Sequence, residues 1–149
     1  MEIKYSIITS FLILVVTCQA NADNRSNETI STIAGIYILN GHPKTSMRII
    51  QDNKKYHIEL EGGGDDSIEG NVSADCIIHA NGIVKGKKLT ATFTAVDMDT
   101  FSYTNKQAEE EKRKIKIRFR RSQANVYYID SLGYCGYGAD FSGIYQRKK

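Results

Sequence analysis

The sequence predicts an all-β domain, a small antiparallel barrel or sandwich of about eight short strands carrying one disulfide. Three observations support this. Short segments alternate apolar and polar residues with a period of two, as strands with one buried face do. Turn residues interrupt them about every ten positions, and with twelve glycines against one proline the turns must be made by Gly, Asn and Asp, as in a hairpin-rich protein. Two cysteines, Cys76 and Cys135, remain once Cys18 is assigned to an export signal.

That signal opens the chain. Lys4 precedes an apolar run from Ile7 through Val16, and Ala20-Asn21-Ala22 follows with the small residues at which a signal peptidase cuts. Residues 1–22 are therefore expected to be a signal peptide, and the protein to be periplasmic or secreted. The rival reading is a transmembrane anchor. Spanning a bilayer takes ~20 predominantly apolar residues; this run is about half that and holds Thr9 and Ser10, so no transmembrane segment is expected in the mature chain. Cys18, preceded by Val15-Val16-Thr17, resembles the acceptor of a bacterial lipoprotein signal, although the residue before the cysteine is usually smaller than threonine.

Residues 23–32 are polar and aperiodic, a flexible lead-in. Residues 33–149 are expected to form one domain, its 41% hydrophobic and 25% charged composition being ordinary for a globular core. In an oxidising compartment Cys76 and Cys135 are expected to pair. Closing a loop of about sixty residues makes that bond worth about 4 kcal/mol.

The elements follow in order. Ile33 to Leu39 is β-rich, Asn40-Gly41-His42-Pro43 breaks it, and Ser46 to Gln51 resumes until Asp52-Asn53 turns the chain. From Lys55 to Glu61, Tyr56, Ile58 and Leu60 share one face while His57, Glu59 and Glu61 share the other. Gly62-Gly63-Gly64-Asp65-Asp66 reads as a mobile loop. Ala74 to Ala80 and Gly82 to Val84 read as strands joined by a tight turn at Asn81-Gly82. Leu89 to Val96 alternates threonines with apolar residues, Asp97-Met98-Asp99-Thr100 ends it, and Phe101 to Thr104 reads as one more short strand.

Gln107 to Lys112 is a surface helix at most, since it lacks an apolar face. Lys114 to Arg120 is the cleanest period-two segment, with Ile115, Ile117 and Phe119 opposite the cations. Ala124 to Ile129 and about Asp140 to Gln146 complete the set. Gly35-Ile36-Tyr37 in the first strand recurs as Gly143-Ile144-Tyr145 in the last. Pairing of these two strands would close the sheet and remove its edges.

The C-terminal run Cys135-Gly136-Tyr137-Gly138, then Ser142-Gly143-Ile144-Tyr145, with an early Gly-x-Tyr and the mid-chain Cys76, resembles the ending of small bacterial periplasmic β-barrel proteins. Lysozyme-inhibitor-like domains are among them. The resemblance implies an exported, non-enzymatic inhibitor or immunity-type protein that blocks a partner protein outside the cytoplasm. The net charge of +3 departs from that picture, because an inhibitor of a basic lysozyme is expected to be acidic.

Three features offer contacts. Glu59, Glu61, Asp65, Asp66 and Glu69 cluster around the glycine loop, a device for entering a basic cleft or an ordinary solvated hairpin tip. Tyr134 and Tyr137 flank Cys135, where they would form a rigid aromatic knuckle for a partner or plug one end of the barrel. Tyr127 and Tyr128 would face opposite sides of their strand, so that only one enters the core. Lys114, Lys116, Arg118 and Arg120 would project to one face about 7 Å apart, a stripe that either holds an anionic envelope polymer or keeps the strand soluble.

No motif for nucleophilic, metal or phosphate chemistry is present, so no catalytic residue and no cofactor are assigned. The three histidines, His42, His57 and His79, are scattered along the sequence, and no metal ligand set is expected. Nucleic acid is not an expected partner, because export removes most of it and no recognition motif occurs. A lipocalin-like carrier of a small apolar ligand is the other reading of a small barrel, and it requires a hollow interior.

Overall fold

A computed structural model describes residues 33–62, 76–98, 101–135 and 140–149. The expected signal peptide, Cys18, the lead-in, Asp65, Asp66, Glu69 and Tyr137 lie outside the described residues. Among the described residues ten strands and a helix follow in order: β1 Gly35–Leu39, β2 His42–Asp52, β3 Lys55–Gly62, β4 Cys76–Lys85, β5 Lys88–Phe93, β6 Val96–Asp97, β7 Ser102–Tyr103, α1 Asn105–Glu111, β8 Lys114–Arg120, β9 Gln123–Ile129 and β10 Gly143–Arg147. Eight of them form a closed antiparallel barrel in the order β1-β10-β9-β8-β5-β4-β3-β2, while β6 and β7 make a separate small hairpin.

The closure expected from the repeated Gly-Ile-Tyr is present. Tyr37 lies opposite Arg147, Ile38 opposite Gln146 and Leu39 opposite Tyr145. The repeat is also chemical. Tyr37 donates its hydroxyl to the Ile33 carbonyl at 2.7 Å, and Tyr145 donates to the Phe141 carbonyl at 2.9 Å, each reaching four residues back. Each seam strand thus ties its entry corner to a buried tyrosine, and burial raises the pKa of both phenols. At Gly35, φ is 154° and a Cβ would stand 2.9 Å from Arg147 Nε. Glycine lets that guanidinium reach the barrel mouth, where it donates to the Ala34 carbonyl at 2.6 Å.

Period-two alternation sorts the side chains as the sequence predicts. Met47, Ile49, Ile58, Leu60, Ile78 and Leu89 point inward and are buried, as do Ile115, Ile117 and Phe119 from β8. Large and small residues face one another around the wall: Ala80 lies opposite Phe93, and Ala124 opposite both Phe119 and Tyr145. That pairing fits bulky rings into a narrow barrel. The Cys76–Cys135 disulfide forms, with Cα atoms 5.6 Å apart, and joins the start of β4 to the segment after β9.

Three local expectations are corrected. Asn81-Gly82 does not turn. β4 runs straight through it, and the chain reverses at Gly86, where φ is 60°. Gly82 serves close approach instead, since a Cβ there would lie 2.3 Å from the Thr90 carbonyl oxygen on β5. The second strand begins earlier than expected, at His42, with Pro43 tolerated beside a register shift between Ile38 and Leu39. Tyr127 and Tyr128 do not divide between core and solvent. Lys116 pairs with Tyr128 while Ile117 pairs with Val126, so Tyr127 is the extra residue of a β-bulge, and each tyrosine is 44% exposed.

The helix is the surface feature expected, with no buried residue. Thr104 and Gln107 form a reciprocal capping box at its start, and Ala108 packs against the edge of the core. The barrel order gathers the β2–β3, β4–β5 and β8–β9 turns at one end with the C-terminal residues. The β1–β2 turn, α1, the β6–β7 hairpin and the disulfide occupy the other end. Among the described residues no helix is long and apolar enough to cross a membrane.

Candidate functional site

The disulfide end is sealed by aromatic packing. Tyr134 is only 6% exposed, and its ring centroid lies 5.2 Å from that of Phe93, 5.0 Å from Phe101 and 4.8 Å from Tyr103, all edge to face. Its hydroxyl donates to the Ile77 carbonyl at 3.3 Å, and burial pushes its pKa up to about 12. Of the two roles open to Tyr134, the structure places it in the plug; the ring is not offered to a partner. Arg113 serves the same end. It donates to the Leu132 carbonyl at 2.7 Å, pairs with Glu111 and Asp130, and sits 6.0 Å from the Tyr134 ring centroid.

The acidic residues that are described lie on the outer face of β3. Glu61 is exposed, and Glu59 is engaged by Arg48 at 3.6 Å and His57 at 3.5 Å. Register also joins two histidines that the sequence separates. His57 and His79 stand with ring centroids 5.4 Å apart, and His57 Nδ1 is 2.9 Å from the Asn81 side-chain oxygen. Burial, then the neighbouring His57, lowers the pKa of His79, against a weaker raising effect of Glu59. Among the described residues no group of three or more His, Cys, Asp and Glu side chains could hold a metal ion.

The cationic stripe forms on β8 as its alternation predicts. Lys114, Arg118 and Arg120 are exposed and Lys116 is half-buried. Strand pairing widens it, because Lys88 lies opposite Arg118 and Thr90 opposite Lys116 on β5. On the other flank the β9 bulge brings both tyrosines to the same wall. The Lys116 ammonium is 5.0 Å from the Tyr128 ring centroid, and the Arg118 guanidinium carbon is 5.3 Å from that of Tyr127.

The result is a patch of two exposed phenols, each carrying a cation on its ring, on a rigid sheet. Rings held by cation–π contact lose less freedom on binding, and Tyr and Arg are the side chains that concentrate contact energy at interfaces. The sequence contains the residues of this patch but not their grouping. The bulge that exposes both tyrosines has no local signature, and Lys88 joins through non-local pairing alone. No protein-family model, curated protein or solved structure matches the chain. The class the fold defines is a small disulfide-bonded eight-stranded antiparallel barrel, and any functional reading rests on the chain's own geometry.

Proposed function

We propose that this is an exported, non-enzymatic binding protein that engages and blocks a partner protein through the outer wall at β8 and β9. The observation that carries the reading is the β9 bulge, which turns Tyr127 and Tyr128 outward together beside Lys116 and Arg118. A strand in regular alternation would bury one of the pair. The sign of the face favours an acidic surface on the partner, so a basic target such as lysozyme fits it poorly.

The interior supports a wall rather than a lumen as the working surface. A hollow able to hold a small ligand would leave its lining side chains with surface that a water-sized sphere can touch. Met47, Ile58, Leu60, Ile78, Leu89 and Ile117 have 0% exposure. This weighs against the carrier reading.

The test is capture from envelope extract with the oxidised protein immobilised, at moderate salt, followed by mass spectrometry. One protein retained in stoichiometric amount, and lost with Tyr127→Ala and Tyr128→Ala together, supports the proposal. Retention that survives those changes, or that vanishes only when the barrel unfolds, refutes it. A retained anionic polymer in place of a protein would transfer the face to the envelope-polymer reading.

A further inference from the structure

Barrel closure collects cations that are far apart in sequence. The β2–β3 turn brings Lys54 and Lys55, and the β4–β5 turn brings Lys87 and Lys88. Their neighbours on the same end are Arg120 and Arg121 at the β8–β9 turn, then Lys148 just after β10. Backbone hydrogen bonds fix these turns side by side: Phe119 N–H to the Lys87 carbonyl at 2.8 Å, Arg147 N–H to the Ser122 carbonyl at 2.9 Å, and Lys148 N–H to the Ile36 carbonyl at 2.8 Å. Lys54, Lys87, Arg120, Arg121 and Lys148 are all exposed, and none forms an ion pair among the described residues. Asp52 is the one acidic side chain of these turns, and it accepts from the Asn53 amide at 3.0 Å.

Solubility alone does not call for this arrangement, since interspersed charges of both signs achieve it without self-repulsion. Two further observations concern the β8–β9 turn. Arg121 occupies a left-handed position, φ 55°, where glycine or asparagine is the unstrained choice for a hairpin. The paired strands β8 and β9 hold that conformation in place. Beside it, Arg120, Arg121, Ser122 and Gln123 line an open depression of about 350 Å3 at the hairpin tip, and arginine is the side chain best suited to bidentate recognition of a phosphate.

We propose that this end of the barrel is a second binding site, adjoining the β8–β9 wall and sharing Lys88 and Arg120 with it, and that it takes a linear polymer of phosphate-bearing units. One unit seats against Arg120 and Arg121, and its neighbours reach the lysines of the adjacent turns. A polymer fits better than a single anion because the cations are spread over several turns, and strands lie about 4.8 Å apart. It also fits better than a bilayer. The exposed apolar residues nearest this end, Ile36, Ile50 and Ile83, lie on the strands behind the charged tips, so no apolar group leads into a membrane.

The test uses the oxidised full chain as the cell processes it, with labelled linear inorganic polyphosphate as the probe and anisotropy as the readout. Binding is expected at 50 mM salt and, with about six cations engaged, should weaken roughly 300-fold by 200 mM. Lys54→Glu, Lys87→Glu and Arg121→Gly together should reduce affinity at least about tenfold. Arg121→Gly alone should weaken binding several-fold while leaving the melting temperature unchanged or higher, because glycine relieves the positive φ. Lys106→Glu with Lys112→Glu, at the opposite end, should leave binding unchanged. The proposal is overturned by no binding at 50 mM salt, by equal losses from changes at either end, or by binding to vesicles of anionic phospholipid with none to polyphosphate.

Discussion

Replacing Tyr145 by phenylalanine removes one oxygen atom from the barrel seam and leaves the ring in place. Tyr145 is 0% exposed and Phe141 is 1% exposed, so the 2.9 Å bond between the phenol and the Phe141 carbonyl has no water to replace it. A buried hydrogen bond contributes about 1 kcal/mol net, and a carbonyl stranded without its donor costs about 1 to 3 kcal/mol, so a loss of about 2 kcal/mol is expected. For a domain of this size that lowers the melting temperature by roughly 8 °C. Tyr56 supplies the internal control. It is 3% exposed, yet its hydroxyl has no hydrogen-bond partner among the described residues. Tyr56→Phe should be neutral or stabilise by up to about 1 kcal/mol, because it deletes an unsatisfied buried group. The protein contains no tryptophan, so urea unfolding of the oxidised protein is followed by far-ultraviolet circular dichroism. Equal destabilisation by the two substitutions would refute the reasoning and assign the role of Tyr145 to ring packing alone.

Other consequences can be measured with the same assay. His79 has a lowered folded pKa, so the unfolded chain binds its proton first; stability from this group is present above about pH 6.5 and falls as the pH drops through the folded value, a slope that His79→Gln should flatten. Tyr134, raised to about 12, acts at the other extreme: the unfolded phenol ionises near pH 10 while the folded one stays protonated, so stability falls by about 2 kcal/mol between those values, and Tyr134→Phe should abolish that part of the alkaline loss. Removing the disulfide with Cys76→Ala and Cys135→Ala together should lower stability by about 4 kcal/mol, as the bond spans 59 positions; a loss under about 1 kcal/mol would show that the unfolded chain is already compact there. Gly82→Ala should destabilise by about 3 kcal/mol through collision with Thr90 and Ala91, whereas a tight turn at that point would have predicted a much smaller effect.

Features that depend on near neighbours in the chain are readable from the residues alone. Alternation from Lys114 to Arg120 assigns each side chain to core or solvent because the pleat has a period of two, and the structure buries Ile115, Ile117 and Phe119 as that rule requires. Pairing of Cys76 with Cys135, and of the two Gly-Ile-Tyr strands, was legible because cysteine number and a repeated motif leave few alternatives. Tertiary structure decided everything that register controls. Asn81-Gly82 has turn chemistry, but pairing with both β3 and β5 carries the strand through it. The bulge that exposes Tyr127 and Tyr128 is a mismatch between strands with no single-strand signal. The gathering of Lys54, Lys87 and Arg121 at one end follows from the strand order of the whole sheet, and that of His57 beside His79 from the β3–β4 register. Local chemistry selects a strand's face, whereas its neighbours are chosen by the burial and hydrogen bonding of the entire sheet.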